Sequence, residues 1–134
     1  MPNLYRVLIP VSDIDGAQRF YENVLDIPGQ RVSPGRHYFD CGGTILACFD
    51  PRADGEGRSA RANPEHLYIA VDDLAASYRR CQEQNARFDS RTLHGGQQSL
   101  GEIADRPWGE RSIYMFDPFD NPLCFVDATT VFRG

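Results

Sequence analysis

Apolar residues along the chain follow two periods in turn, and the order of those periods occurs twice. Residues 6–14 (RVLIPVSDI) align without a gap on residues 66–74 (HLYIAVDDL), and Ile9/Ile69, Val11/Val71, Asp13/Asp73 and Arg19/Arg79 are identical. Each copy opens on a short apolar, β-branched run and reaches an aspartate suited to capping a helix. After Asp13, Ile14, Ala17, Phe20, Tyr21, Val24 and Leu25 recur at helical spacing until Pro28 and Gly29 stop the element. After Asp73, Leu74, Tyr78 and Cys81 predict a shorter, more polar helix that ends around Asn85.

The period then becomes strand-like. Residues 30–32, 36–40 and 44–49 predict three antiparallel strands, divided by the turn sequences SPG and CGG. In the second copy, residues 86–90, 112–116 and 122–126 take these parts, with DPFDN closing the last hairpin. Residues 92–109 are long for a hairpin connection and predict a candidate lid over a pocket. Residues 51–64, charged and poor in large apolar side chains, read as a linker. The organisation is one domain over residues 1–134, with module one at 4–50, the linker at 51–64 and module two at 65–127. The fold class is α+β with two tandem βαβββ modules; a ferredoxin-like sandwich fits the composition as well, but not the repeat.

Composition narrows the function. With 134 residues, 41% hydrophobic and 25% charged, the chain has the usage of an ordinary globular domain. Every one of its 14 basic residues is arginine, so Schiff-base catalysis and lysine-dependent phosphate loops are excluded. A net charge of −5 with dispersed arginines argues against nucleic acid or an anionic membrane as partner. No stretch reads as a leader or a membrane span, so a cytoplasmic location is expected. Cys41, Cys48, Cys81 and Cys124 form no C-x-x-C pair and read as reduced, mostly buried thiols.

The tandem carries V-x-D-x-x-x-A-x-x-F-Y at residues 11–21, H-x-x-I-x-V at 66–71, P-W-G-x-R at 107–111 and D-P-x-x-N at 117–121. In this order it resembles the vicinal oxygen chelate superfamily, which includes glyoxalase I, extradiol dioxygenases and bleomycin-resistance proteins. The resemblance covers roughly residues 4–127 and implies a cup-shaped, eight-stranded mixed sheet, commonly completed by a homodimer, with ligands bound in the cup. In metal-dependent members the first and last strands of each module supply the ligands. Carried over, those positions are Arg6, Ala47, His66 and Cys124. Alanine binds no metal and arginine offers no acceptor, which leaves His66 and Cys124 against the three protein ligands of catalytic zinc.

The reading is therefore a glyoxalase- or bleomycin-resistance-like protein that binds a small organic molecule, without a metal cofactor. The alternative is a dioxygenase or lyase dependent on Zn, Fe, Mn or Ni, completed by ligands such as Glu102 or Glu110. Whether the chain is an enzyme stays open. Arg6, assisted by His66, is the candidate binder of an anionic group, because a guanidinium fork matches carboxylate or phosphate; pairing with Glu65 or Asp127 is the other reading. Trp108, Tyr114 and Cys124 complete the candidate ligand-binding set: a wall or a loop plug for Trp108, a lining or cross-strand role for Tyr114, and a core thiol as the plainer role of Cys124. His37 and His94 have no spacing partner and are expected at the surface, while Asp117 and Asn121 read as turn residues.

Overall fold

The computed structural model describes residues 1–92 and 98–134, which fall into two compact units, Met1–Asn63 and Pro64–Gly134. In the first, β1 (Arg6–Pro10) leads into α1 (Ile14–Leu25), followed by β2 (Gln30–Ser33), β3 (Arg36–Cys41) and β4 (Thr44–Phe49). The sheet order is β1-β4-β3-β2, parallel between β1 and β4 and antiparallel elsewhere. A parallel neighbour needs a long crossover, which α1 and the two strands after it provide.

The Asp13 carboxylate accepts from the Gly16 N–H at 3.1 Å and starts α1; Asp26, left-handed at φ 55°, ends it. Ile14, Ala17, Phe20, Tyr21 and Val24 are buried on one stripe, over Ile9, Phe39, Leu46 and Cys48 of the sheet. Leu25, expected on that stripe, is only half-buried. The alternation of β3 also corrects the expectation for His37. It shares Phe39's side of the strand and is 2% exposed, with its ring 5.2 Å from that of Phe39. Arg31 Nε donates to His37 Nδ1 at 3.2 Å, and Glu22 stands 3.9 Å from Nε2.

The second unit repeats the plan with β5 (Leu67–Val71), α2 (Leu74–Glu83), β6 (Arg87–Phe88), β8 (Arg111–Phe116) and β9 (Pro122–Asp127), in sheet order β5-β9-β8-β6. Asp73 caps α2 through the Ala76 N–H at 3.0 Å. A short strand not anticipated from the sequence, β7 (Ala104–Asp105), pairs with β8, so the two sheets have four and five strands instead of four each.

That strand belongs to the segment expected to be a lid. Its described part is tied to the sheet: Thr92 bridges to Ser99, Leu100 N–H donates to Arg91 O at 2.7 Å, and Tyr114 N–H donates to Leu100 O at 2.9 Å. The cause is Arg106, 7% exposed, whose Nη2 donates to the carbonyls of Leu100, Glu102 and Ser112 at 3.1, 2.8 and 2.9 Å and whose Nε donates to Ser112 Oγ at 3.1 Å. His94 and the rest of 93–97 lie outside the described residues. All four cysteines are free, and only Cys41 is not fully buried. Among the described residues no helix is long and apolar enough to cross a membrane.

Candidate functional site

Strand alternation decides which side chains reach the face of the second sheet opposite α2. Tyr68 and Ala70 are exposed on β5, while Leu67, Ile69 and Val71 turn to the helix side. His66 directly precedes β5, two residues from Tyr68, and keeps to Tyr68's face. In register, Tyr68 lies opposite Cys124 on β9, and Cys124 lies opposite Tyr114 on β8. The cross-strand Tyr114/Cys124 pair expected from the DPFDN turn is therefore present.

These residues border a cavity of about 300 Å³. His66, Tyr68 and Tyr114 form one wall, Trp108 and Leu100 a second, and Arg91 and Thr92 complete it. The Tyr114 ring stands edge-on to His66 at 5.1 Å and to Tyr68 at 6.4 Å, with interplanar angles of 89° in both pairs. Trp108 packs against the buried cluster of Leu100, Tyr114, Cys124 and Val126. Its Nε1–H donates to Glu110 Oε1 at 2.8 Å, and Glu110 Oε2 accepts from Phe132 N–H at 2.9 Å. Trp108 is thus both a wall and a plug.

Electrostatically the lining is close to neutral. Burial, more than any neighbour, lowers the His66 pKa; Arg91 acts in the same sense, while Asp89 and Glu65 oppose it. His66 Nε2 is shielded from solvent and has no hydrogen-bond partner among the described residues. Burial first, then the adjacent Cys124, drives the Tyr114 phenol far above its usual range, and burial also raises Tyr68. Arg91 is charged, but it grips Asp89, 3% exposed, through Nη2 at 2.7 Å and Nε at 3.0 Å. Such a surface can stack on a flat molecule and offer it the exposed Tyr68 phenol as a hydrogen-bonding group.

Cys124 is fully buried beneath the cavity, and burial pushes its thiol up to about 12. Its sulfur does not line the cavity. Both oxygens of Glu110 are already taken, and among the described residues no three His, Cys, Asp or Glu side chains converge as a metal site would require. The donor set does not fit the divalent ion that many vicinal oxygen chelate proteins use. Arg6 belongs to the first unit, in register with Ile45, and Ala47 is in register with Leu8.

The sequence model of the Glyoxalase/Bleomycin resistance protein/Dioxygenase superfamily matches residues 3–125. The chain belongs to this superfamily. Solved structures agree at the level of fold. A glyoxalase-related enzyme from Fulvimarina pelagi superimposes with a TM-score of 0.74 at 15% identity, covering 100% of this chain and 94% of that one. A glyoxalase/bleomycin resistance protein from Albidiferax ferrireducens T118 gives 0.70 at 16% identity, covering 91% and 95%. A lactoylglutathione lyase from Agrobacterium tumefaciens gives 0.66 at 19% identity, covering 93% and 92%. A comparison with curated proteins finds no match.

For a superfamily member, four of the seven cavity residues escaped sequence reasoning: Tyr68, Arg91, Thr92 and Leu100. Tyr68 carried a usable signal, since the H-x-Y spacing puts both rings on one face of a strand. Arg91, Thr92 and Leu100 come from an irregular segment without periodicity.

One buried and one half-buried histidine, His37 and His66, set a testable pH dependence. Burial is the largest cause lowering both His37 and His66 below 6.5; for His37, Arg31 adds to it while Glu22 and Asp15 oppose it. The unfolded chain then takes up these protons first, so stability is full above about pH 6.5, declines as pH falls through the interval below it, and levels once the folded-state values are passed. Urea denaturation between about pH 5 and 8 should show that decline, and His37→Gln and His66→Gln should each flatten it.

Proposed function

We propose that the second unit is a small-molecule binding module that takes a flat, largely apolar organic ligand into the cavity, without a resident metal. The observation that carries this reading is the cavity wall in which the Tyr114 ring stands edge-on to both His66 and Tyr68. Aromatic walls gain from stacking about 0.5–1.5 kcal/mol per ring pair beyond area burial. A metal-dependent dioxygenase or lyase would need donors that Cys124 and Glu110 do not offer.

Tyr68 is 62% exposed and serves no core, so its removal separates binding from folding. Saturation-transfer NMR against a set of hydroxylated and keto aromatic compounds should detect binders of the wild type. Tyr68→Ala should weaken those binders about 5–30-fold while the melting temperature stays the same, one or two kcal/mol of lost contact. Binders indifferent to Tyr68→Ala would place the ligand elsewhere.

A further inference from the structure

The first unit carries a polar cluster of its own. On the face of its sheet opposite α1, Arg6 Nη1 donates to the Tyr38 hydroxyl oxygen at 3.3 Å, and Arg36 Nη1 donates to the same oxygen at 3.2 Å. Register explains the meeting: β1 and β3 flank β4, with Leu8 and Tyr38 both opposite Ala47, so Arg6 and Arg36 approach Tyr38 along one face. Two cations converge on one neutral phenol, which carries no charge to offset them.

The rest of the cluster's bonding is one-sided. Within its unit, among the described residues, Arg6 forms no ion pair, and its guanidinium lies 5.3 Å from the Tyr5 ring centroid and 5.9 Å from that of Tyr38. Arg36 has one carboxylate neighbour, Asp54, whose Oδ2 is 3.4 Å from Nε; that carboxylate also accepts from Ser33 Oγ at 2.8 Å and Gly35 N–H at 2.7 Å. Arg36 is further fixed over the Phe49 ring, 4.2 Å from the centroid. Asp40, further along this face of β3, accepts the Gly43 N–H on Oδ1 at 2.8 Å and forms no ion pair with Arg6 or Arg36 among the described residues. Both guanidinium groups use the Tyr38 oxygen as acceptor, which leaves its O–H as a donor. The result is two guanidinium groups on one phenol oxygen, with no carboxylate bridging them among the described residues.

We propose that Arg6, Arg36 and Tyr38 form an oxyanion site that takes the carboxylate or phosphate group of a small molecule. Planar guanidinium forks grip such groups by charge-assisted, two-point hydrogen bonds, and the phenol supplies a third donor. Arg36 is the preset element, held by Asp54 and Phe49, and Arg6 is the arm that closes on the anion.

The test is a titration of the full chain with inorganic phosphate and separately with acetate, at constant ionic strength made up with chloride, following arginine Nε–Hε resonances by NMR. The expected result is a saturable shift of the Arg6 and Arg36 signals. Arg6→Gln should weaken it at least about tenfold and Tyr38→Phe about three- to tenfold, in keeping with the loss of a hydrogen bond to a charged group. Arg31→Gln, which removes the arginine paired with Asp15 and bonded to His37, should leave it unchanged. Saturation by phosphate alone would assign a phosphorylated ligand, and saturation by acetate as well would assign a carboxylate. Should Arg6→Gln fail to fold, Tyr38→Phe carries the decision. No saturable shift with either anion, or equal affinity in the folded variants, would overturn the site.

Discussion

Arg106→Met is expected to cost about 3–5 kcal/mol and to lower the melting temperature by roughly 10–20 °C, a large share of the stability of a domain this size. The guanidinium is buried and donates to three backbone carbonyls and one hydroxyl; two of the carbonyls belong to the irregular segment and the third to β8. Methionine fills much of the same volume but donates nothing, so the buried Ser112 carbonyl and hydroxyl lose this donor and the Leu100 carbonyl keeps only Tyr114 N–H, at about 1–3 kcal/mol for each group left unsatisfied. Tyr114 loses at the same time the cation 5.4 Å from its ring. The segment should come away from β8, so amide exchange at Leu100 and Tyr114, linked through Tyr114 N–H and Leu100 O, should accelerate ahead of α2. A melting temperature within a few degrees of the wild type would mean that β7 pairing alone secures the segment.

Asp117→Ala should be nearly as severe, at about 2–4 kcal/mol. Asp117 Oδ1 accepts from the N–H groups of Phe119 and Asn121 at 2.8 and 2.9 Å, while Oδ2 accepts from Asn121 Nδ2 at 2.9 Å. Asp117 is 3% and Asn121 0% exposed, so water does not replace these bonds. The effect reaches beyond stability, because this turn sets the register that puts Tyr114 opposite Cys124. Asp117→Asn keeps one acceptor oxygen and should recover part of the loss; equal unfolding midpoints for Asp117→Ala and wild type would contradict the role given to the turn.

The contrast between these residues shows what the sequence could and could not convey. The βαβββ plan was legible because its signals are local: an aspartate cap before a helical stripe, glycine turns between alternating strands, and a second copy of the same pattern. Asp117 and Asn121 were recognisable as turn residues for the same reason, although their complete burial was not. Arg106 was not legible, since a buried arginine among dispersed arginines shows no period, and its partners are carbonyls that every residue possesses. His37 was misplaced at the surface because the side of a strand on which a lone polar residue falls depends on register. Of the candidate site, His66, Trp108 and Tyr114 line the cavity, Cys124 supports it from beneath, and Arg6 meets Tyr38 and Arg36 in the first unit. The cavity itself draws on β5, β8 and an irregular segment, so no short motif could contain it.

Trp108 is the only tryptophan and stands in the cavity wall, which makes its emission a direct reporter of occupancy. The measurement that bears most directly on the account is a fluorescence titration of the wild type with the same hydroxylated and keto aromatic compounds, run in parallel on Tyr68→Ala. The account predicts saturable quenching or a spectral shift for at least one compound, with a matching rise in melting temperature by linkage and a right-shifted curve in the variant. Emission and melting temperature that stay constant across the whole set would contradict a ligand-binding cavity in the second unit.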